Sequence, residues 1–279
     1  MKLNSLINIR EKVMIITRRF VALAAGLFLS ISLAQAANIL IVTGASTTFE
    51  PSTTTSVVDN VAPTCGPSNT YTSSDTLPAN INTYDQIWDV RFSNSSALTA
   101  ADNSAYTTFL QSGKTLFLMG ENVGFMTRNN SVLAFIDQMG GGSLSFIEPG
   151  NAQTVHSPFT DGPLTAINYL APGGVITPGT GSFATSNATG GSAIAWTTGT
   201  MSNAPAGAMT VVFDVNFMMG SAAADQHQFF VNLCSFMATA TSGSSTAVAV
   251  PTTSITGLGL LGSLCGLLGV VGLRRRQRP

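Results

Sequence analysis

Charge is scarce in this sequence. Asp, Glu, Lys and Arg make up only 9% of the 279 residues, against about a quarter in ordinary globular proteins. From Ala37 to Val250 the cations are Arg91, Lys114 and Arg128, three against twelve acids between Glu50 and Asp225, which leaves −9. An acidic stretch without a basic stripe repels phosphate backbones, so nucleic acid is excluded as a partner. Reactive side chains are equally sparse. The two histidines, His156 and His227, stand apart, and Cys65, Cys234 and Cys265 fall in three different segments. None is at metal-ligand spacing, so neither a zinc site nor a cofactor is expected. No internal repeat is evident. What fills the chain is 44% apolar residues among Gly, Ser, Thr, Ala and Asn, enough for one sizeable core or two small ones.

The two ends carry addresses. Arg18 and Arg19 precede an apolar run from Phe20 to Leu33, followed by Ala34-Gln35-Ala36. A basic region, a short apolar run and an A-x-A site predict a secretory signal peptide, residues 1–36, cleaved after Ala36. The start is either Met1 or Met14. Thr17-Arg18-Arg19-Phe20 partly matches a twin-arginine signal, and general secretion fits better. At the other end, Ile255 to Leu273 holds no charged residue. As a helix it would extend about 28 Å, near the thickness of a bilayer's hydrocarbon. Arg274, Arg275, Arg276 and Arg278 follow. Residues 255–273 are therefore expected to form one C-terminal transmembrane helix, the arginines on the cytoplasmic side and the body outside. Gly262 and Gly266 have the spacing of a helix-pairing motif, a weak signal in a segment with six glycines. Residues 239–250, small and uncharged, read as a flexible stalk.

The tail's Val250-Pro251-Thr252-Thr253-Ser254, its apolar run and its terminal arginines resemble the PEP-CTERM class of bacterial sorting signals, closest to its IPTL-CTERM variant. Val250 stands where that variant has Ile, Thr253 where it has Leu, and the usual Trp after the Ser is missing. The resemblance implies recognition by an exosortase-type membrane protease, a Gram-negative source, and a destination at the cell surface or in the extracellular matrix. The tail is then an anchor by its physics and a removable tag by its resemblance.

Residues 37–238 form the exported body. Asn38 to Gly44 reads as a buried strand, "TTTSVVDNVAP" as a helix stopped near Pro63, and "YDQIWDVRF" (84–92) as a strand. Thr99 with Asp102 three residues on marks a capped helix ending at Gly113. "KTLFLMG" (114–120) is the strongest strand, Asn130 to Met139 a short helix, "LSFI" (144–147) a strand. The Gly-, Thr- and Asn-rich residues 171–207 suggest loops or short antiparallel strands. "AMTVVFDVN" (208–216) returns to strand, and Ser221 is expected to cap a last helix with Gln226, Phe230, Leu233 and Met237 along one side. Strand–helix alternation predicts an α/β fold, a three-layer sheet with helices on both faces.

The stretches "KTLFLMGENVGF", "RNNSVLAFIDQMGGG" and "FDVNFM…FFVNLCSFM" resemble the flavodoxin-like, non-amidotransferase branches of the class I glutamine amidotransferase-like superfamily. Catalytic members turn after the matching strand through G-x-C-x-G, which exposes a nucleophile. Here the turn is Gly120-Glu121-Asn122-Val123-Gly124. Asn122 occupies the Cys position, and an amide is not a nucleophile of that kind. In a flavodoxin-like order the first and last helices lie side by side, which makes Cys65 and Cys234 candidates for a disulfide, the alternative being two free thiols. Arg91, Glu121, Asn122, Arg128, Asn129 and Asp214, with Asp89, are expected near the carboxyl ends of strands, where open sheets bind ligands. They form either an internal ion-pair and hydrogen-bond network or a ligand site. The function expected is that of a non-catalytic surface or matrix protein with a structural or binding role, extracellular polysaccharide being one partner. The alternative is an envelope hydrolase using Glu121, Asp214 or His156, or a glycan-binding protein using the crevice from Gly120 to Arg128.

Overall fold

The structure, a computed structural model, describes residues 36–44 and 51–242. Its centre is one sheet of nine strands, fed first by helical crossovers and then by hairpins. In chain order the elements are β1 (Asn38–Val42), α1 (Pro51–Cys65), β2 (Thr70–Ser74), β3 (Gln86–Asp89), α2 (Ala100–Gln111), β4 (Thr115–Gly120), α3 (Met126–Gln138), β5 (Phe146–Ile147), β6 (Ala152–Val155), β7 (Ala166–Asn168), β8 (Gly174–Val175), β9 (Ser182–Ser186), β10 (Ala193–Trp196), β11 (Ala208–Phe213) and α4 (Ala224–Ser242). The sheet order is β2-β1-β3-β4-β11-β10-β9-β6-β7, and β5 pairs with β8 in a separate ribbon.

Five strands, β2-β1-β3-β4-β11, are mutually parallel. The residues of β1, β3, β4 and β11 are almost all buried, as near-continuous apolar runs require, while the edge strand β2, TYTSS, is half-buried to exposed. Ile39, Ile41, Trp88, Phe117, Met119 and Val212 point to one side, where Val57 and Val61 of α1 and Phe229, Phe230, Leu233 and Met237 of α4 cover them. Leu40, Ile87, Leu116, Leu118 and Val211 point to the other, against Tyr106, Phe109 and Leu110 of α2 and Val132, Phe135 and Ile136 of α3. Cys65, the last residue of α1, is bonded to Cys234 in the middle of α4, with the Cα atoms 5.1 Å apart.

The remaining four strands depart from the expected architecture. β10, β9, β6 and β7 add to β11 antiparallel. The expected three-layer flavodoxin-like sheet is therefore corrected to a mixed sheet whose second half is built from hairpins. The cause is local. β6 alternates exposed and buried residues over AQTV, the pattern of a strand packed on one face only, and glycine-containing turns link these strands where a helix would be needed for a parallel return. Val155, Ile167 and Ala184 join the α4 side of the core, while Ala152, Thr154, Ala166 and Asn168 of the opposite face are exposed.

The transmembrane helix is corrected as well. Among the described residues no helix is long and apolar enough to cross a membrane, so the structure shows none. The expected span 255–273 lies outside the described residues, as do the sorting motif and, apart from Ala36, the signal peptide. Helix α4 runs to Ser242, four residues into the stretch expected to be stalk; residues 243–250 are not among those described.

Several helix ends follow from side chains. Thr99 and Asp102 form a reciprocal capping box at the start of α2. Helix α1 continues two residues past Pro63 and stops at Gly66, whose φ of +102° suits glycine. Helix α3 begins four residues before the expected Asn130 because Asn94, on a distant loop, accepts a hydrogen bond from the Thr127 amide at 2.9 Å. At the start of α4 it is the Gln226 side chain, not Ser221, that accepts the Ala223 N–H, at 3.3 Å.

Candidate functional site

The carboxyl ends of β3, β4 and β11 gather most of the residues singled out from sequence. Asp89 closes β3 and is fully buried. Arg91, two residues on, folds back on it: its Nε donates to Oδ1 at 2.8 Å and its Nη2 to Oδ2 at 2.7 Å. Tyr106 of α2 donates its hydroxyl to Oδ2 at 2.9 Å. Arg128, also fully buried, places Nη2 3.2 Å from the same oxygen. That contact is an ion pair without hydrogen-bond alignment, and Nη2 has no other partner among the described residues. The other nitrogens of Arg128 donate to backbone carbonyls, Nε to Met119 at 3.0 Å and Nη1 to Ser96 at 2.8 Å. Asp102 completes the set, 3.3 Å from Arg91 Nη2.

Two guanidinium groups and two carboxylates thus share one buried cluster with no formal net charge. Burial by itself pushes the Asp89 carboxyl up. The charges of Arg128 and Arg91 and the hydrogen bonds from Arg91 and Tyr106 outweigh it and hold the group at about 2, below the ordinary 3.8. For Arg91, desolvation works against the cation, but the Asp89 carboxylate overrides it and raises its pKa. Desolvation, reinforced by Asp89, keeps the Tyr106 phenol protonated far above its usual range. Asp89 and Arg91 therefore stay ionised across the physiological range. The cluster ties β3 to α2, to the loop at Ser96 and to α3.

The elbow after β4 is a second network. Gly120 pairs with Phe213 of β11, and a Cβ there would lie 2.3 Å from Phe213 Cδ1, so only glycine fits. Glu121 is buried. Its Oε1 accepts from the Asn122 amide and side chain, both at 3.0 Å, and its Oε2 from the Val215 amide at 2.8 Å. Asn122 lies in ordinary extended backbone, φ −60° and ψ −178°. Its side-chain oxygen accepts the Gly124 N–H at 2.9 Å, so the residue at the nucleophile position serves as a turn cap. Asn129, buried in α3, accepts from the Glu121 N–H at 2.9 Å and donates to the Glu121 carbonyl at 2.7 Å and the Asn122 carbonyl at 3.0 Å. Asn94, which caps α3, donates to the Gly124 carbonyl at 2.9 Å.

Asp214 stands beside this network, one residue beyond β11, and serves a different neighbour. Its Oδ2 accepts the Leu170 and Ala171 amides at 2.9 and 3.2 Å, and its Oδ1 the Asn216 amide and side chain, both at 2.8 Å. Desolvation raises its pKa, and those donors oppose the shift.

The structure thus brings Arg91 and Arg128 together on Asp89, and Glu121, Asn122 and Asn129 together at the elbow. His156 is elsewhere. It follows β6, four strands from β4 in the sheet order, which is roughly 19 Å at ordinary strand spacing. Its Nε2 is 2.8 Å from Ser186 Oγ. Among the described residues no cluster of His, Cys, Asp and Glu is able to hold a metal. Sequence reasoning missed Tyr106, Asn94 and the carbonyls of Ser96 and Met119. Only Tyr106 left a signal, four residues after Asp102 on the inward face of its helix.

No family model matches the chain, and no curated protein matches it. Solved structures do. The N-terminal domain of mmIFT52 aligns over 73% of this chain and 97% of its own length, with 9% identity and a TM-score of 0.47. The cytoplasmic protein STM3548 from Salmonella typhimurium aligns over 72% and 98%, with 10% identity and a TM-score of 0.45. The exo-beta-1,4-mannosidase Op5Man5 from Opitutaceae bacterium strain TAV5 aligns over 81% of this chain at 8% identity and a TM-score of 0.43, and this chain spans only 37% of it.

Proposed function

We propose that the chain is an exported surface or matrix protein whose body, held by the Cys65–Cys234 disulfide, has a structural or binding role rather than a catalytic one. The disulfide is the observation that supports this reading most directly. A bond between two half-buried or buried cysteines 169 residues apart persists in oxidising compartments and is reduced in the cytosol of ordinary cells. It agrees with the signal-peptide pattern ending at Ala36 and with the sorting motif from Val250 to Ser254, which an exosortase-type protease would read. The crevice supports the non-catalytic part. Both oxygens of Glu121 and both of Asp214 are engaged by backbone N–H groups, and the Arg91–Asp89–Arg128 cluster is buried and ionically closed. These groups stiffen loops. A general acid or base would need an oxygen facing substrate.

The test is fractionation of producing cells. The full chain is expected at the surface or in the matrix, and a chain lacking residues 250–279 in the periplasm or medium. An unchanged distribution after the deletion would contradict the proposal.

A further inference from the structure

We infer that the antiparallel end of the sheet carries a binding groove for a neutral glycan, separate from the elbow after β4. Two hollows lie there, of about 430 and 320 Å³, and Asn168 lines both. One spreads over the uncovered face of β6 and β7, by Thr154 and Asp225. The other continues past Leu170 to Asn216 and Met219, at the turn before α4.

The lining selects the ligand class. The Asn168 carboxamide makes no hydrogen bond within the described protein, although its backbone N–H and C=O are both engaged, by Asp225 at 2.7 Å and Gln226 at 2.7 Å. Its side chain therefore offers one acceptor and two donors to whatever enters. Asn216 uses its Nδ2 on Asp214 and keeps its Oδ1. Asp225 uses one oxygen on the Asn168 amide and keeps the other. Amides that donate and accept, with one carboxylate oxygen, match hydroxyl groups, which do both. Leu170, 65% exposed, and Met219 supply the apolar surface on which the C–H face of a sugar ring can rest. Neither hollow is lined by a cation, and the body's net charge of −9 disfavours acidic polymers. Two hollows that share Asn168 suit a linear chain of several sugar units. A peptide adding as a further strand is a poorer fit, because the outward backbone groups of Asn168 on the edge strand are already taken by Asp225 and Gln226.

The groove also gives Asp214 a role. By accepting the Leu170 and Ala171 amides and orienting Asn216, it fixes one rim of the hollow from beneath. It is a positioning residue.

The experiment is titration calorimetry of the full chain in detergent with four probes: cellohexaose, mannohexaose, maltohexaose and hexagalacturonate. At least one neutral hexasaccharide is expected to bind with a Kd below about 1 mM, and the acidic one not to bind. Asn168→Ala is expected to weaken binding at least tenfold with an unchanged melting temperature, since that side chain bonds to nothing inside the protein. Val123→Ser, at the exposed elbow, should leave affinity unaltered. Absence of saturable binding by all three neutral probes overturns the inference. So does equal binding of the acidic probe, or loss of binding in Val123→Ser but not in Asn168→Ala. None of these outcomes bears on export, which fractionation tests separately.

Discussion

Replacing Asp89 by Asn probes the buried cluster most sharply, because it removes one charge and little volume. The carboxylate faces two guanidinium groups, with Arg128 fully buried and Arg91 nearly so. Without it, the Arg128 cation keeps only backbone carbonyls from Met119 and Ser96. Breaking a buried ion pair by removing one partner costs about 3–5 kcal/mol. For a domain of this size each kcal/mol is about 2–4 °C in melting temperature, so Asp89→Asn should lower Tm by roughly 10 °C. Arg128→Met in the same chain should recover part of that loss, since it removes the orphaned charge. The pH dependence carries its own sign. The folded Asp89 pKa is lowered from 3.8 to about 2. Its stabilisation is complete above the unfolded value and is lost as pH falls from about 5 towards 2, an amount of about 2 kcal/mol at 1.36 kcal/mol per unit. Asp214 acts oppositely: its pKa is raised by burial, so its protonation, as pH falls to the unfolded value, relieves a cost. Urea unfolding at pH 7, 5, 4 and 3 on the parent, Asp89→Asn and the double variant separates these contributions. A loss under 1 kcal/mol for Asp89→Asn at pH 7, or strictly additive effects in the double variant, would refute the reasoning.

Three further outcomes are expected. Cys65→Ser/Cys234→Ser should lose about 2–5 kcal/mol, the loop of 169 residues lying near the upper end of that range; denaturant titration with and without reductant measures it. Gly120→Ala should cost about 1–3 kcal/mol through overpacking against Phe213, and Phe213→Leu in the same chain should restore part of it in a thermal melt. Thr99→Ala should cost about 1 kcal/mol by removing the cap of α2, read from the urea midpoint at unchanged slope.

Four of the five parallel strands were legible because their signals are local; the polar edge strand β2, TYTSS, carries no apolar run and was not. β4 and β11 are unbroken apolar runs, and the α2 capping box is written in Thr99 and Asp102 alone. The antiparallel half was legible only in outline, as a strand at 144–147 and short antiparallel strands or loops over 171–207, where β5, β8, β9 and β10 lie; β6, β7 and the joining of these strands to the main sheet were not. β5 to β10 are two to five residues long within Gly-, Ser- and Thr-rich sequence, and their pairing depends on partners tens of residues away. The Gln153 side chain, which bonds Ser192 and Thr185, is one such long-range tie. In the site, the arginines were found from their rarity in an acidic body, and Asp89 was grouped with them, alongside Glu121 and Asp214, from its place near the end of a strand. Asn94 stayed hidden because a loop asparagine has no pattern until the helix it caps is in place. Asp214 was grouped with the elbow from its position after a strand. It is buried and holds the Leu170 and Ala171 amides because β7 and the turn at Leu170 return to it, a consequence of the hairpins.

The account rests on export and oxidation of this chain, and intact-mass measurement of the protein recovered from producing cells tests both at once. It predicts a mature chain beginning at Ala37, lighter by two hydrogens before reduction than after, with Cys65 and Cys234 unreactive to alkylation until reduced. A chain that retains residues 1–36 and labels freely at both cysteines would contradict it.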